Sequence, residues 1–178
     1  MTNHPSQQLA RYFAGVAEHV FQTQLGVADP KLTDYISSLL MRFVRVDQMH
    51  RVRNLQGQPV RRVQEMLAEA GERVGEARRE VHRHIGDFTL FWAGIFPEAL
   101  RRKRHKVEGD PFLDYCVQGK RAYLIASTIE SEETDAPGDL LHRLGEQFEM
   151  CAYGMREVRR EWERREDSDP DVGPILFN

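Results

Sequence analysis

The chain has 178 residues, of which 40% are hydrophobic, 30% charged and 9% aromatic, a balance that excludes a disordered tail and a collagen-like repeat. Its 25 Lys and Arg against 28 Asp and Glu leave a net charge of −3, so bulk charge does not draw a polyanion and only local basic patches remain open. A chain of this size buries about 70% of its open-chain surface, enough for a full core without disulfides. The expectation is one helical domain over residues 1–167 and a tail over 168–178.

Ser6 is placed to cap a first helix running to about Gln24, with Leu9, Phe13, Val16 and Val20 on one stripe and Gly26 at its end. Asp29-Pro30, a cap followed by proline at the first helical position, opens a second helix carrying Leu32, Ile36, Leu39, Phe43 and Val46. Residues 47–58 lose the period and end in Gly57-Gln58-Pro59, which predicts a loop holding a partial helical turn. The third helix has the clearest spacing. Val60, Val63, Leu67, Ala70, Val74, Ala77, Val81, Ile85 and Phe88 recur by threes and fours as a bundle-facing seam.

Gly86-Asp87 interrupts that seam, and Asp87 is placed to cap a short helix from Phe88 to Phe96, apolar on almost every side and therefore the buried centre of the fold. Pro97 breaks the chain before a basic turn over Glu98–Lys106. Asp110-Pro111 repeats the cap-plus-proline start, and Phe112, Cys116, Gly119, Tyr123 and Ala126 form a seam whose small residues admit a close neighbour. Glu130–Gly138, rich in acids, reads as a solvated loop. A last helix from about Asp139 carries Leu141, Leu144, Phe148, Cys151, Met155, Val158 and Trp162 over six to seven turns.

One-sided apolar stripes are buried only against one another, so the fold expected is an all-α bundle of five to six helices around a buried central apolar helix. The longest apolar run, Phe88–Phe96, is about half of the ~20 residues that span a bilayer, so no membrane helix is expected. The opening MTNHPSQQLA lacks a basic run followed by an apolar stretch, which predicts no secretory signal and a cytoplasmic setting. Cys116 and Cys151 fall on apolar faces and read as reduced core thiols. The segments HRHIGDFTLFWAGIFPE, DYCVQGKRAY and LGEQFEMCAYGMREV resemble blocks shared by a family of small helical bacterial proteins without an assigned activity. That resemblance implies a bacterial, single-domain, helical protein and carries over no ligand and no catalytic residue.

The chemistry that the sequence offers is sparse. It contains no GxGxxG, GxxxxGK[ST], GxSxG, HExxH or Cys-x-x-Cys. No Glu has a His three residues later, as a dinuclear carboxylate site in a bundle needs. Glu80 with His84 and His142 with Glu146 are i,i+4 pairs that together offer four metal ligands, whereas Glu80 also belongs to a stripe of Glu65, Glu69, Glu72 and Glu76 interleaved with Arg73, Arg79 and Arg83, the pattern of a solvated face. Arg101, Arg102, Lys103, Arg104 and Lys106 put five positive charges within six residues, suited to phosphate oxygens, with Arg51, Arg53, Arg61 and Arg62 as candidate neighbours. Tyr115, Tyr123 and Trp92, beside Asp114 and Asp87, offer a ligand pocket or simply a core. No cofactor is called for.

The reading that follows is a non-catalytic interaction protein, an adaptor or regulatory subunit that binds a protein partner through an exposed helix face or the apolar tip Ile175, Leu176 and Phe177. The alternatives are a nucleic-acid or phosphate-binding module using residues 101–106, and a helical-bundle enzyme or metal protein whose site is assembled from separated residues. The long third and last seams predict a homodimer.

Overall fold

The computed structural model describes residues 5–43, 51–54, 56–102 and 110–168. The described residues form helices α1 (Pro5–His19), α2 (Pro30–Phe43), α3 (Val63–Gly71), α4 (Gly75–Ile95), α5 (Pro97–Arg102), α6 (Pro111–Ser127), α7 (Gly138–Glu146) and α8 (Phe148–Ser168), with a π-turn over Val20–Gln24 after α1. The fold is all-α, and no strand occurs among the described residues. None of their helices is long and apolar enough to cross a membrane.

Both cap-plus-proline starts form as the sequence predicts. Asp29 Oδ1 accepts the Leu32 amide at 3.1 Å, and Asp110 Oδ1 accepts those of Phe112 and Leu113. The described residues hold eight helices where five to six are expected, because two long predicted helices are divided and Pro97–Arg102 is a helix of its own, while the predicted central helix is continuous with the one before it. The third is cut at Glu72–Val74, where Gly75 takes φ +56 and turns the chain out of helix. Val74 and Ala77 of the predicted seam therefore stand in solvent, Val74 at 83% exposed. The last predicted helix is cut at Gln147, between α7 and α8. Ahead of α3 the chain closes on itself, with Val60 donating to the Val52 carbonyl at 2.8 Å and Arg53 bridging Pro59, so Val60 belongs to a tight loop and not to the helix.

The central element is α4, and it packs against α2, α3, α6 and α8. Between Arg79 and Ile95 almost every residue is buried on every side. The expected interruption at Gly86-Asp87 is absent because both residues are used within the helix. A Cβ on Gly86 would meet the Tyr123 ring at 2.6 Å, so the glycine lets α6 lay that tyrosine across α4. Asp87 remains mid-helix because its charge is paired. The central helix is thus apolar mainly from Phe88 onward, and the part before Phe88 buries Arg79, His82, Arg83, His84 and Asp87.

The remaining seams close within the chain. Leu144, Phe148, Cys151, Met155, Val158 and Trp162 are all buried, and the Trp162 indole stacks on Phe13 at 5.1 Å and meets Tyr12 edge-on. Of the two seams from which self-association is expected, the last is thus covered by the fold itself, while the third leaves Val74 and Ala77 in solvent. Cys116 and Cys151 are buried free thiols, pushed up by burial to about 11 and about 12 respectively.

Candidate functional site

Asp87 lies at the point where α2, α4 and α6 meet, 1% exposed. The Tyr35 hydroxyl from α2 and the Tyr123 hydroxyl from α6 both donate to its Oδ1 at 2.7 Å. Arg42, about two helical turns beyond Tyr35, pairs with Oδ2 at 3.1 Å. Arg83, one turn before Asp87 on α4, donates from Nε to the Tyr35 oxygen at 3.1 Å. Every oxygen in this cluster is partnered, which is the condition under which a buried carboxylate is tolerated.

The same stripe of α4 continues to Arg79, 1% exposed, and its neutralising group arrives from far along the chain. Glu133, in the segment between α6 and α7, bridges the two arginines: one oxygen takes Arg79 Nη1 at 3.0 Å and the other takes Arg83 Nη1. Arg79 Nη2 also donates to the Ala136 carbonyl. The acid-rich segment predicted as a solvated loop is thus a strap across α4, and the charged stripe predicted as a solvated face is interior at Arg79 and Arg83. The reason is physical: two guanidinium groups leave water only when a bidentate carboxylate and a carbonyl replace it.

The electrostatics follow from this packing. Burial and the Asp87 charge raise the Tyr35 and Tyr123 hydroxyls above the ordinary phenol value, so both stay protonated. Burial opposes the charge on Arg83, but Tyr35, Asp87 and Glu133 outweigh it and raise its pKa. Burial likewise works against the Glu133 carboxylate, yet the Arg83 hydrogen bond prevails and holds it below the usual carboxylate range. Glu80 goes the other way: burial, with the nearby Glu133 charge, pushes it up despite Arg83.

Two cavities open on either side of the Arg42 and Arg83 side chains. The larger, about 410 Å³, is lined by Lys31, Asp34, Tyr35, Ser38, Arg42 and Arg83 and is backed by the strap. The smaller, about 130 Å³, is lined by Arg42, Arg51, Arg73 and Arg83 together with Glu80 and Asp87. Guanidinium groups thus face both chambers, and in the smaller one four of them meet two carboxylates.

No model of a known family, no characterised protein and no solved structure matches this chain.

The residues singled out from the sequence are distributed as follows. Glu80 and His84 are at this centre, while His142 and Glu146 form an exposed pair of their own on α7 at 3.3 Å. The four do not gather into one ligand set. Among the described residues the acids that do converge are Glu76, Glu80 and Glu133, and Arg79 and Arg83 sit between them as counter-charges. Arg101 and Arg102 are exposed at the end of α5, with the Arg101 guanidinium over the Phe112 ring at 5.4 Å. Lys103, Arg104 and Lys106 lie outside the described residues, as do Ile175, Leu176 and Phe177. Of the candidate neighbours of the basic run, Arg51 lines the smaller cavity, and Arg53 donates to the Gly57 carbonyl. Tyr123 is a core tyrosine that also anchors Asp87.

The sequence reading missed Tyr35, Arg42, Arg79, Arg83 and Glu133. One signal for them exists: Arg79, Arg83 and Asp87 recur at i, i+4 and i+8, so they form one polar stripe running into a helix that is otherwise apolar.

Proposed function

We propose that the protein is a non-catalytic binding module for a small anionic molecule, seated against Arg42 and Arg83 between α2, α4 and the 128–137 strap. The observation that carries this reading is the pair of guanidinium groups, fixed by Asp87, Tyr35 and Glu133, that forms a wall of both cavities. Preorganised guanidinium forks bind carboxylate and phosphate oxygens without first paying to be ordered. The protonated tyrosines favour binding over acid-base chemistry, since a phenol raised in this way gives up its proton poorly and is not ionised to act as a base. A cytoplasmic setting is part of the same proposal.

Thermal unfolding with matched anionic and neutral compounds at constant ionic strength tests it. A ligand at about a hundred times its Kd stabilises by ~2.7 kcal/mol, or roughly 5–10 °C for a chain of this length. The expected result is a rise with anionic compounds alone, reduced by Lys31→Glu at the exposed rim. Equal shifts with neutral analogues overturn the reading.

A second reading, a protein partner, rests on α6. Leu113 and Val117, one turn apart, are 60% and 59% exposed, and Val117, Leu124 and Ile125 line an open apolar trough. Loss of partner binding in Val117→Lys, with the fold intact, is its test. Light scattering shows whether that partner is a second copy.

A further inference from the structure

The large apolar side chains that the fold leaves in solvent are concentrated on one face. Among the described residues four are exposed, and three of them, Leu113, Val117 and Tyr153, belong to α6 and the first half of α8, the fourth being Val74 ahead of α4. Lys120 of α6 pairs with Glu149 of α8 at 2.8 Å, and Tyr153 follows Glu149 by one turn, so apolar exposure continues from one helix to the next. On α6 the outward stripe runs through Asp114, Val117, Arg121, Leu124 and Thr128, again by threes and fours, and turns away from the buried seam of Cys116, Gly119, Tyr123 and Ala126. Asp114 and Arg121 thus stand on either side of Val117 with opposite charges. Two turns, about 10 Å, separate them along the helix, so they do not reach one another within one chain. Both are exposed, and neither makes an ion pair or a side-chain hydrogen bond among the described residues.

This pattern is complementary to itself. A two-fold rotation that lays two α6 helices antiparallel and face to face, with its axis at the level of Val117 and Gln118, sets each Val117 beside its copy. Residues 114 and 121 lie equally far on either side of that level and on the same flank of the stripe, so the same rotation sets each Asp114 opposite the Arg121 of the other chain. Charges that do not meet within a chain meet twice between two chains, around an apolar centre. Resting on the reading of α6 as a protein-binding face, we infer that the partner is a second copy of this chain, held by an antiparallel α6–α6 contact in which Val117 is central and Asp114 pairs with Arg121 across the two-fold axis. One pair of helices makes a small interface, so the dimer is a transient one in exchange with single chains.

Sedimentation equilibrium of the full chain from about 10 μM to about 1 mM tests this. The mean mass is expected to climb from one chain toward two and no further, because a two-fold contact closes on itself. Val117→Lys, which sets two ammonium groups against each other at the axis, is expected to weaken association by about tenfold or more. Asp114→Arg and Arg121→Asp each turn both ion pairs into like-charge contacts, and each is expected to weaken it by about tenfold. The double variant restores both pairs with their sense reversed, and its association is expected to return to within about threefold of the original chain, a rescue that unspecific apolar association does not show. All three positions are exposed, so the fold is expected to survive, and circular dichroism checks it. A chain that stays single to 1 mM, association indifferent to Val117→Lys, or charge reversals that the double variant does not rescue each overturn the second copy. The broader reading of α6 as a protein-binding face falls separately, when Val117→Lys costs the chain no partner of any kind.

Discussion

Tyr35 and Tyr123 donate to the same oxygen, Asp87 Oδ1, and so one carboxylate holds α2 and α6 to α4. The arrangement fixes the position of Arg42 and Arg83 as well, because Asp87 Oδ2 pairs with the first and the Tyr35 oxygen accepts from the second. Structure at the centre of the bundle and geometry at the cavity wall are thus the same set of bonds.

Removal of Asp87 is therefore costly. Asp87→Ala leaves two buried hydroxyls and the Arg42 guanidinium without their acceptor, and the expected loss is about 3–5 kcal/mol. Urea unfolding measures it, and a loss under about 1 kcal/mol contradicts the account.

The two tyrosines differ in what else they hold. Tyr123→Phe removes one hydrogen bond to a charged group, expected to cost about 1.5–3 kcal/mol. Tyr35→Phe removes that bond and also the acceptor of Arg83 Nε, so it is expected to cost more than Tyr123→Phe in the same assay. Equal or reversed costs contradict the placement of Arg83.

Two apolar positions test the packing around α4. Phe91, buried against Phe43 at 5.2 Å, is expected to cost about 3–5 kcal/mol when changed to Ala. A Cβ at Gly119 would meet the Phe148 ring and Thr89 Oγ1 at 2.4 Å, so Gly119→Ala is expected to destabilise by about 1–3 kcal/mol through overpacking. Chemical unfolding of each variant checks both numbers.

His82 supplies a pH dependence. Burial, with the Arg78 and Arg121 charges, depresses its pKa below the ordinary 6.5, so the folded chain resists a proton that the unfolded chain accepts. Stability is expected to fall as pH drops through and below about 6.5, and His82→Gln is expected to flatten that part of the curve. An unchanged slope in the variant assigns the dependence to other groups.

Apolar periodicity and local capping made most of the bundle legible: Asp29-Pro30 and Asp110-Pro111 open their helices, both cysteines are interior, and Phe91 is in the core. The candidate site was not legible, because the groups that make it affordable are distant in sequence. Asp87 is 52 residues from Tyr35 and 36 from Tyr123, and Arg79 and Arg83 are 54 and 50 residues from Glu133. Without those partners, Arg79 and Arg83 read as a solvated face and Asp87 as a cap. The divisions at Val74 and Gln147 were hidden for a related reason, since a seam spaced by threes and fours continues across a break that tertiary packing imposes.

The central claim is that Arg42 and Arg83 hold an anion together. Heteronuclear NMR of the arginine Nε–Hε groups, recorded on the full chain while glycerol 3-phosphate is added at constant ionic strength, tests it most directly. The account predicts that the Arg42 and Arg83 signals move along one saturating curve while those of exposed Arg101 and Arg102 stay in place. Unmoved signals, or a drift of all arginines in proportion to concentration, would contradict it.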